Sequence, residues 1–246
     1  MYLPVHVGAE GKDSIGFTPD NTGDNISTKN KYISEMTGMY WAWKNLDCDY
    51  LGLVHYSRYL AMHRKLGTAS LDKVLTGEQI QQLLSKYRII LPARRKYYIE
   101  TIYSHYDHTV DGKHLDITRE IISRNCPEYL AGFDEVMSRT WGHLFNMFIM
   151  PKGLLGDYCS WVFPVLFELE ERLDMSSKNL FDSRRIGSVG EHMLDVWLCR
   201  KFEEGKIRPE EIHEVPYIYT RPINWFRKAG GFLMAKFFHR KYTRSF

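Results

Sequence analysis

The sequence has no Cys-x-x-Cys pair, no internal repeat and no run of about 18 apolar residues. Its four cysteines, Cys48, Cys126, Cys159 and Cys199, are too scattered to suggest a zinc cage or a disulfide framework. Reduced thiols in a cytoplasmic protein are the simplest reading. Without a long apolar run there is no candidate for a membrane-crossing helix, so any contact with a bilayer is expected from the side. Net charge is only +3, which argues against the molecule as a whole binding a polyanion, and nucleic acid is not expected as a partner. Acidic residues are missing after Glu214, while Arg221, Arg227, Lys228, Lys236, Arg240, Lys241 and Arg244 follow it.

What is present suits a globular chain. Hydrophobic residues make up 44% of 246 positions, enough for one large or two small α/β domains with a sizeable core. Aromatic residues reach 14%; core packing accounts for most of them, although rings also stack on sugars.

Strand and helix patterns alternate. Tyr2 to Val7, Asp49 to Val54, Tyr87 to Leu91, Phe145 to Met150 and Ile212 to Tyr219 read as strands. Helical spacing covers Ser34 to Lys44, Leu71 to Lys86 with a break at Thr76-Gly77, Leu115 to Asn125, Tyr129 to Arg139, Lys152 to Arg172 with Pro164 inside, and Gly190 to Phe202. Ile99 to His114 is polar and reads as a loop or broken helix. The alternation predicts an α/β fold with a mixed, mainly parallel sheet covered by helices.

In such sheets ligands bind beyond the carboxyl ends of the strands. The strand Asp49 to Val54 runs into His55, Tyr56, Arg58 and Tyr59, a cationic and aromatic group suited to a phosphorylated or sugar-bearing ligand. Structural packing is the competing reading for each residue. The strand Tyr87 to Leu91 repeats the pattern with Arg94, Arg95 and Lys96, of which Arg94 is the candidate to reach the same ligand. The loop Asp20-Asn-Thr-Gly-Asp-Asn25 offers Asp20, Asn21, Asp24 and Asn25 to ribose or sugar hydroxyls, or satisfies its own backbone.

Glu191 follows the Gly187-Ser-Val-Gly190 turn and is expected at a helix N-terminus. A carboxylate is electrostatically favoured there and rigidly held, as a general base needs to be. Asn146, at the start of a strand, could meet a sugar hydroxyl. Asp47-Cys-Asp49 is an Asp-x-Asp, a pattern that holds a divalent metal on a diphosphate, but it precedes its strand and so falls on the wrong edge. A divalent cofactor, Mn2+ or Mg2+, therefore has no well-placed motif. His105, His108 and His114, with the Asp residues between them, match no zinc spacing.

Four blocks together carry a resemblance: Asp20-Asn-Thr-Gly-Asp-Asn-Ile-Ser, Tyr40-Trp-Ala-Trp-Lys-Asn, Gly52-Leu-Val-His-Tyr-Ser-Arg-Tyr and Phe145-Asn-Met-Phe-Ile-Met. They resemble an uncharacterised-domain family of bacterial capsular and exopolysaccharide gene clusters, usually labelled as glycosyltransferases. The resemblance implies a GT-A-like transferase over residues 1–222, followed by a basic aromatic tail, 223–246. It also implies that a first strand, found ahead of the Tyr2 segment in that family, is missing here. The family pattern reads His-Tyr-Arg-Arg-Tyr, whereas position 57 is serine, which leaves Arg58 as the remaining arginine of the pair. Phe145-Asn146 and Glu191 look like the acceptor-side Phe-Asn strand and the acidic residue near the transferred sugar in the glycogenin and lipooligosaccharide galactosyltransferase group.

The resulting expectation is transfer of a hexose, galactose or galactofuranose first, from a UDP-sugar to a lipid-linked glycan acceptor. His55, Arg58 and Arg94 would hold the diphosphate, and Glu191 would act as base. The basic tail would lie at the inner face of the plasma membrane. A non-catalytic glycan- or partner-binding module is the alternative, and a metal-dependent hydrolase built on the His105–His114 segment is a third reading.

Overall fold

The computed structural model describes residues 1–65, 67–173 and 184–222. The basic aromatic tail expected at 223–246 lies outside the described residues.

The central sheet has four strands in the order β3 (Tyr50–Leu53), β8 (Phe148–Pro151), β5 (Ile89–Pro92) and β9 (Ile212–Val215). β8 is antiparallel to β3 and β5, while β9 is parallel to β5, so three of the four strands run one way. The expected mixed, mainly parallel α/β sheet is present. β5 is buried along its whole length, as a run of Ile-Ile-Leu-Pro requires in a sheet covered on both faces. Gly52 permits the tight β3–β8 contact, since a Cβ there would lie 2.8 Å from the Phe148 carbonyl oxygen.

The helices follow the apolar spacing. They are α1 (Asn30–Ile33), α2 (Met36–Asn45), α3 (Gly77–Leu84), α4 (Ile102–Thr109), α5 (Lys113–Asn125), α6 (Leu130–Ser138), α7 (Lys152–Arg172) and α8 (Arg185–Glu203). The break expected at Thr76-Gly77 is a capping box: Thr76 accepts from the Gln79 N–H, and Gln79 reaches back to the Thr76 N–H. The His-rich segment forms α4 and the start of α5, separated by the turn at Asp111-Gly112, so it is a broken helix. α8 carries Trp197, Met193 and Val196 into the core against α6 and α7.

Three boundaries differ from the sequence reading, and each difference shapes the site. The strand expected from Phe145 begins only at Phe148, because Phe145 (φ 74) and Asn146 (φ 51) adopt left-handed backbone that no strand accommodates. The single strand expected over Ile212 to Tyr219 breaks at Pro216, which has no N–H for a ladder. Its second half, β10 (Tyr217–Tyr219), leaves the sheet to pair antiparallel with β4 (Arg58–Leu60). Third, α8 starts at Arg185, so Glu191 lies well inside the helix and not at its N-terminus.

The remaining short strands frame the sheet. β1 (Val5–His6) pairs in parallel with β2 (Thr18–Pro19). β6 (Arg95–Lys96) pairs antiparallel with β7 (Trp141–Gly142).

Candidate active site

The carboxyl ends of β3, β5 and β9 and the amino end of β8 fall on one edge of the sheet. The chain leaves that edge through two ribbons, β4–β10 and β6–β7, which carry side chains back over it. His55 and Arg58 close a tight turn with paired backbone hydrogen bonds of 3.0 and 3.3 Å, leaving Tyr56 and Ser57 at the tip.

Arg58 is held by rings. Its guanidinium carbon lies 4.4 Å from the Phe145 ring centroid and 5.7 Å from that of Tyr219. Its Nε is buried without a hydrogen-bond partner. Stacking fixes the plane of the fork and leaves its hydrogen-bonding capacity unspent, which suits an anionic ligand. Tyr217 packs edge-on against Phe145 at 5.4 Å, and burial pushes its hydroxyl up to about 12.

Phe145 is the hub. Its carbonyl oxygen accepts a short hydrogen bond from His55 Nε2, which assigns the proton to that nitrogen. Its N–H donates to Glu191 Oε2 at 3.3 Å. Asn146 donates from Nδ2 to Oε1 of Glu35 at 2.8 Å, and His55 Nε2 lies 4.0 Å from the same oxygen. Glu191 thus accepts from Phe145 and lies in the field of Glu35, Arg58 and Arg95. Burial chiefly, and then the charge of Glu35, raise its carboxyl to about 7, against the pull of Arg58, the Phe145 N–H and Arg95. A carboxyl with that proton affinity can take or give a proton near neutral pH. The expected stabilisation by a helix N-terminus does not apply, because Glu191 sits about 9 Å along α8, at the helical rise of 1.5 Å per residue.

The other sequence candidates divide by position. Tyr56 is exposed at the turn tip beneath the Arg221 guanidinium, 4.7 Å from its ring. Arg94 turns outward and pairs with Glu214 at 2.6 Å, stacked on Trp141, while its neighbour Arg95 joins Arg58 as a cation felt by Glu191. Asp20 is wholly buried and accepts hydrogen bonds from the N–H groups of Gly8 and Ala9 and the hydroxyls of Ser27 and Thr37. Its carboxylate organises the loop and is enclosed. Asn21 bonds Glu10, and Asn25 bonds the backbone of Gly23 and Ser27. Asp24 bonds Tyr40 and, through its backbone, Asn45 at the far end of α2. Since α2 has ten residues, that end is about 15 Å from Glu35. The structure therefore joins His55, Arg58, Asn146 and Glu191 and sets the Asp24–Asn25 turn apart from them.

Asp47 and Asp49 precede β3, and the Asp49 carbonyl accepts from the Lys152 N–H, so the Asp-x-Asp lies at the opposite edge. His105 and His108 both grip Glu100, at 3.1 and 2.8 Å. Among the described residues no three His, Cys, Asp or Glu side chains form a metal cage.

Sequence reasoning missed Glu35 and the pair His143–Asp195. His143 Nδ1 lies 2.6 Å from Asp195 Oδ1, and its backbone N–H donates to Oδ2 at 2.8 Å. Its Nε2 is 3.4 Å from Glu214. Burial disfavours the imidazolium, but Asp195 and Glu214 outweigh it and lift His143 to about 9. This charged cluster anchors the chain just before Phe145. Neither Glu35 nor His143 belongs to a periodic pattern or a spaced motif, so no sequence signal marked them.

Cationic, amide and carboxylate groups gather at one edge of a mixed sheet, as in open α/β folds that bind ligands there, and the match to a solved glycosyltransferase structure makes the fold GT-A-like. The apo structure of the bifunctional glycosyltransferase WbbM matches with a TM-score of 0.79 and 28% identity, covering 88% of this chain and 42% of that one. The chain belongs to the family DUF4422, described as a domain of unknown function, whose model matches residues 1–202. No curated protein matches it.

Proposed function

We propose that this chain is a glycosyltransferase that moves a hexose from a UDP-sugar to a lipid-linked glycan acceptor in capsular or exopolysaccharide biosynthesis. The observation that carries the reading is that Phe145 brings Glu191, which accepts its N–H, together with Arg58, which stacks on its ring, at one sheet edge. The likeness to a glycosyltransferase fold supports it.

In this reading Arg58 binds the donor diphosphate, aided by Arg95, while His55 holds the Phe145 carbonyl in place through Nε2. The acceptor hydroxyl oxygen attacks the anomeric carbon, and its proton passes to the Glu191 carboxylate. The bond from that carbon to the diphosphate breaks, with its electron pair leaving on the nucleoside diphosphate. Arg58 and Arg95 stabilise that developing negative charge in a partly desolvated place. Asn146 is assigned to the sugar side of the site, through the carboxylate of Glu35 that it holds. Among the described residues no helix is long and apolar enough to cross a membrane, and a peripheral site at the inner face of the plasma membrane rests on the basic aromatic composition of 223–246.

A panel of UDP-hexoses, with UDP-galactose and UDP-galactofuranose first, tests the proposal through UDP release by wild type and Arg58→Ala. Release should fall at least tenfold in the variant. Equal release would remove Arg58 from the mechanism. Failure to bind UDP at millimolar concentration in calorimetry would favour a non-catalytic glycan- or partner-binding module.

A further inference from the structure

Glu35 belongs to none of the sequence motifs, yet it is presented with unusual care. Ser34, immediately before it, has φ 58. Its hydrogen-bond partner Asn146 has φ 51, and Phe145 beside that partner has φ 74. Among the described residues Tyr98 is the one other non-glycine position with positive φ. Three of the four strained residues thus belong to two segments that meet at Glu35. Such backbone persists only where its surroundings impose it, a pattern concentrated at functional sites.

Packing alone does not explain the arrangement. The Glu35 side chain accepts from the buried Asn146 amide yet keeps 24% of its own surface accessible, so it is not a core group. Its location follows from how α1 meets α8. A Cβ on Gly187 would lie 3.0 Å from the Ile33 carbonyl oxygen, so the glycine lets the two helices touch. That contact brings the residue after Ser34 alongside the next turn of α8, where Glu191 sits.

We infer that Glu35 is a positioning carboxylate of this site: fixed by Asn146 beside Glu191, it holds a negative charge where the acceptor proton arrives. Two carboxylates in one partly buried place repel, and a proton on Glu191 removes the repulsion. Glu35 therefore makes Glu191 a stronger base than burial alone would. The groups acting on Glu191 are Glu35 from the α1–α2 junction, Arg58 from the β3–β4 turn, Arg95 from β6 and Tyr106 from α4, while His55 lies 4.0 Å from Glu35. Of these, Glu35 alone adds negative charge at neutral pH. The role of the proton rests on the transferase reading; the link between the two carboxylates does not.

Glu35→Gln separates charge from packing, because the amide oxygen can still accept from Asn146. The probe is the titration of isotope-labelled glutamate carboxyls by NMR in the full chain, with Glu191→Gln identifying the Glu191 resonance. In wild type the midpoint should lie at about 7, and in Glu35→Gln it should fall toward the ordinary carboxylate range. Glu35→Asp, which withdraws the charge by one methylene, should give a smaller fall and serves if the glutamine variant does not fold. The acid limb of UDP release from the turned-over UDP-hexose should move in the same direction. An unmoved Glu191 midpoint overturns the inference. A moved midpoint with no UDP-hexose turned over leaves the carboxylate pair standing and fails the transferase reading instead.

Discussion

Asn146 donates a 2.8 Å hydrogen bond from Nδ2 to Oε1 of Glu35, joining residues 111 apart in sequence. The bond ties the strained entry to β8 to the strained entry to α2, and it fixes where one carboxylate stands relative to another.

The backbone at Asn146 makes a test possible. Its φ of 51 suits glycine and tolerates asparagine, but an alanine Cβ opposes it. Asn146→Gly and Asn146→Ala both lose the bond to Glu35 and should both lose UDP release. Chemical denaturation should find the alanine variant about 1 kcal/mol less stable than the glycine variant. The reverse order would mean that the backbone here carries no strain.

Glu191 trades stability for function. Its carboxyl is raised from 4.5 to about 7, so the folded state binds the proton more tightly than the unfolded chain. Stability from this group is greatest below about 4.5 and is lost as pH rises through about 7. Glu191→Gln should therefore raise the melting temperature at pH values above about 7, with little effect near pH 4. It should also abolish transfer. A variant equally stabilised at both pH values would contradict the raised proton affinity.

In the cluster behind Phe145, His143 has the same pH direction as Glu191 in a higher window, and Glu214 has the opposite one. His143 is raised from 6.5 to about 9, so its contribution is full below about 6.5 and disappears as pH rises through about 9. In Glu214, burial is outweighed by His143 and the Arg94 N–H, which bring it down to about 2; its contribution fades as pH falls from 4.5 through about 2. Replacing His143 by glutamine should cost ~2 kcal/mol near pH 6 and flatten the alkaline loss of stability seen in wild type. Unfolding curves across that range decide the matter.

Asp20 separates loop architecture from ligand binding. Its carboxylate is enclosed and accepts four hydrogen bonds from Gly8, Ala9, Ser27 and Thr37. Asp20→Ala should destabilise the fold by ~2–4 kcal/mol, since four donors lose their acceptor. UDP affinity of the folded fraction, read by calorimetry at low temperature, should stay within about twofold, because nothing of Asp20 reaches solvent.

Some of this was readable from residues alone. Leu51 and Leu53 ending in His55 and Arg58, or Ile89 to Leu91 ending in Arg94 and Arg95, announce strands with a cationic end, because charge and apolar runs are local; the burial such runs also suggest holds for β5, whereas β3 is a half-exposed edge strand antiparallel to β8. The capping box at Thr76 and the separation of α5 from α6 at Pro127 were legible for the same reason. Tertiary contact decided the rest. Pro216 ends β9, but only the pairing of β10 with β4 shows that Tyr219 lies opposite Arg58. The left-handed turn at Phe145 and Asn146 appears in no propensity, since it is imposed by His55, Glu191 and Glu35 from three distant segments. Composition determined the class of sheet and the charge at its edge; which carboxylate meets which cation was set by long-range packing, whose energies come from neighbours that sequence spacing does not encode.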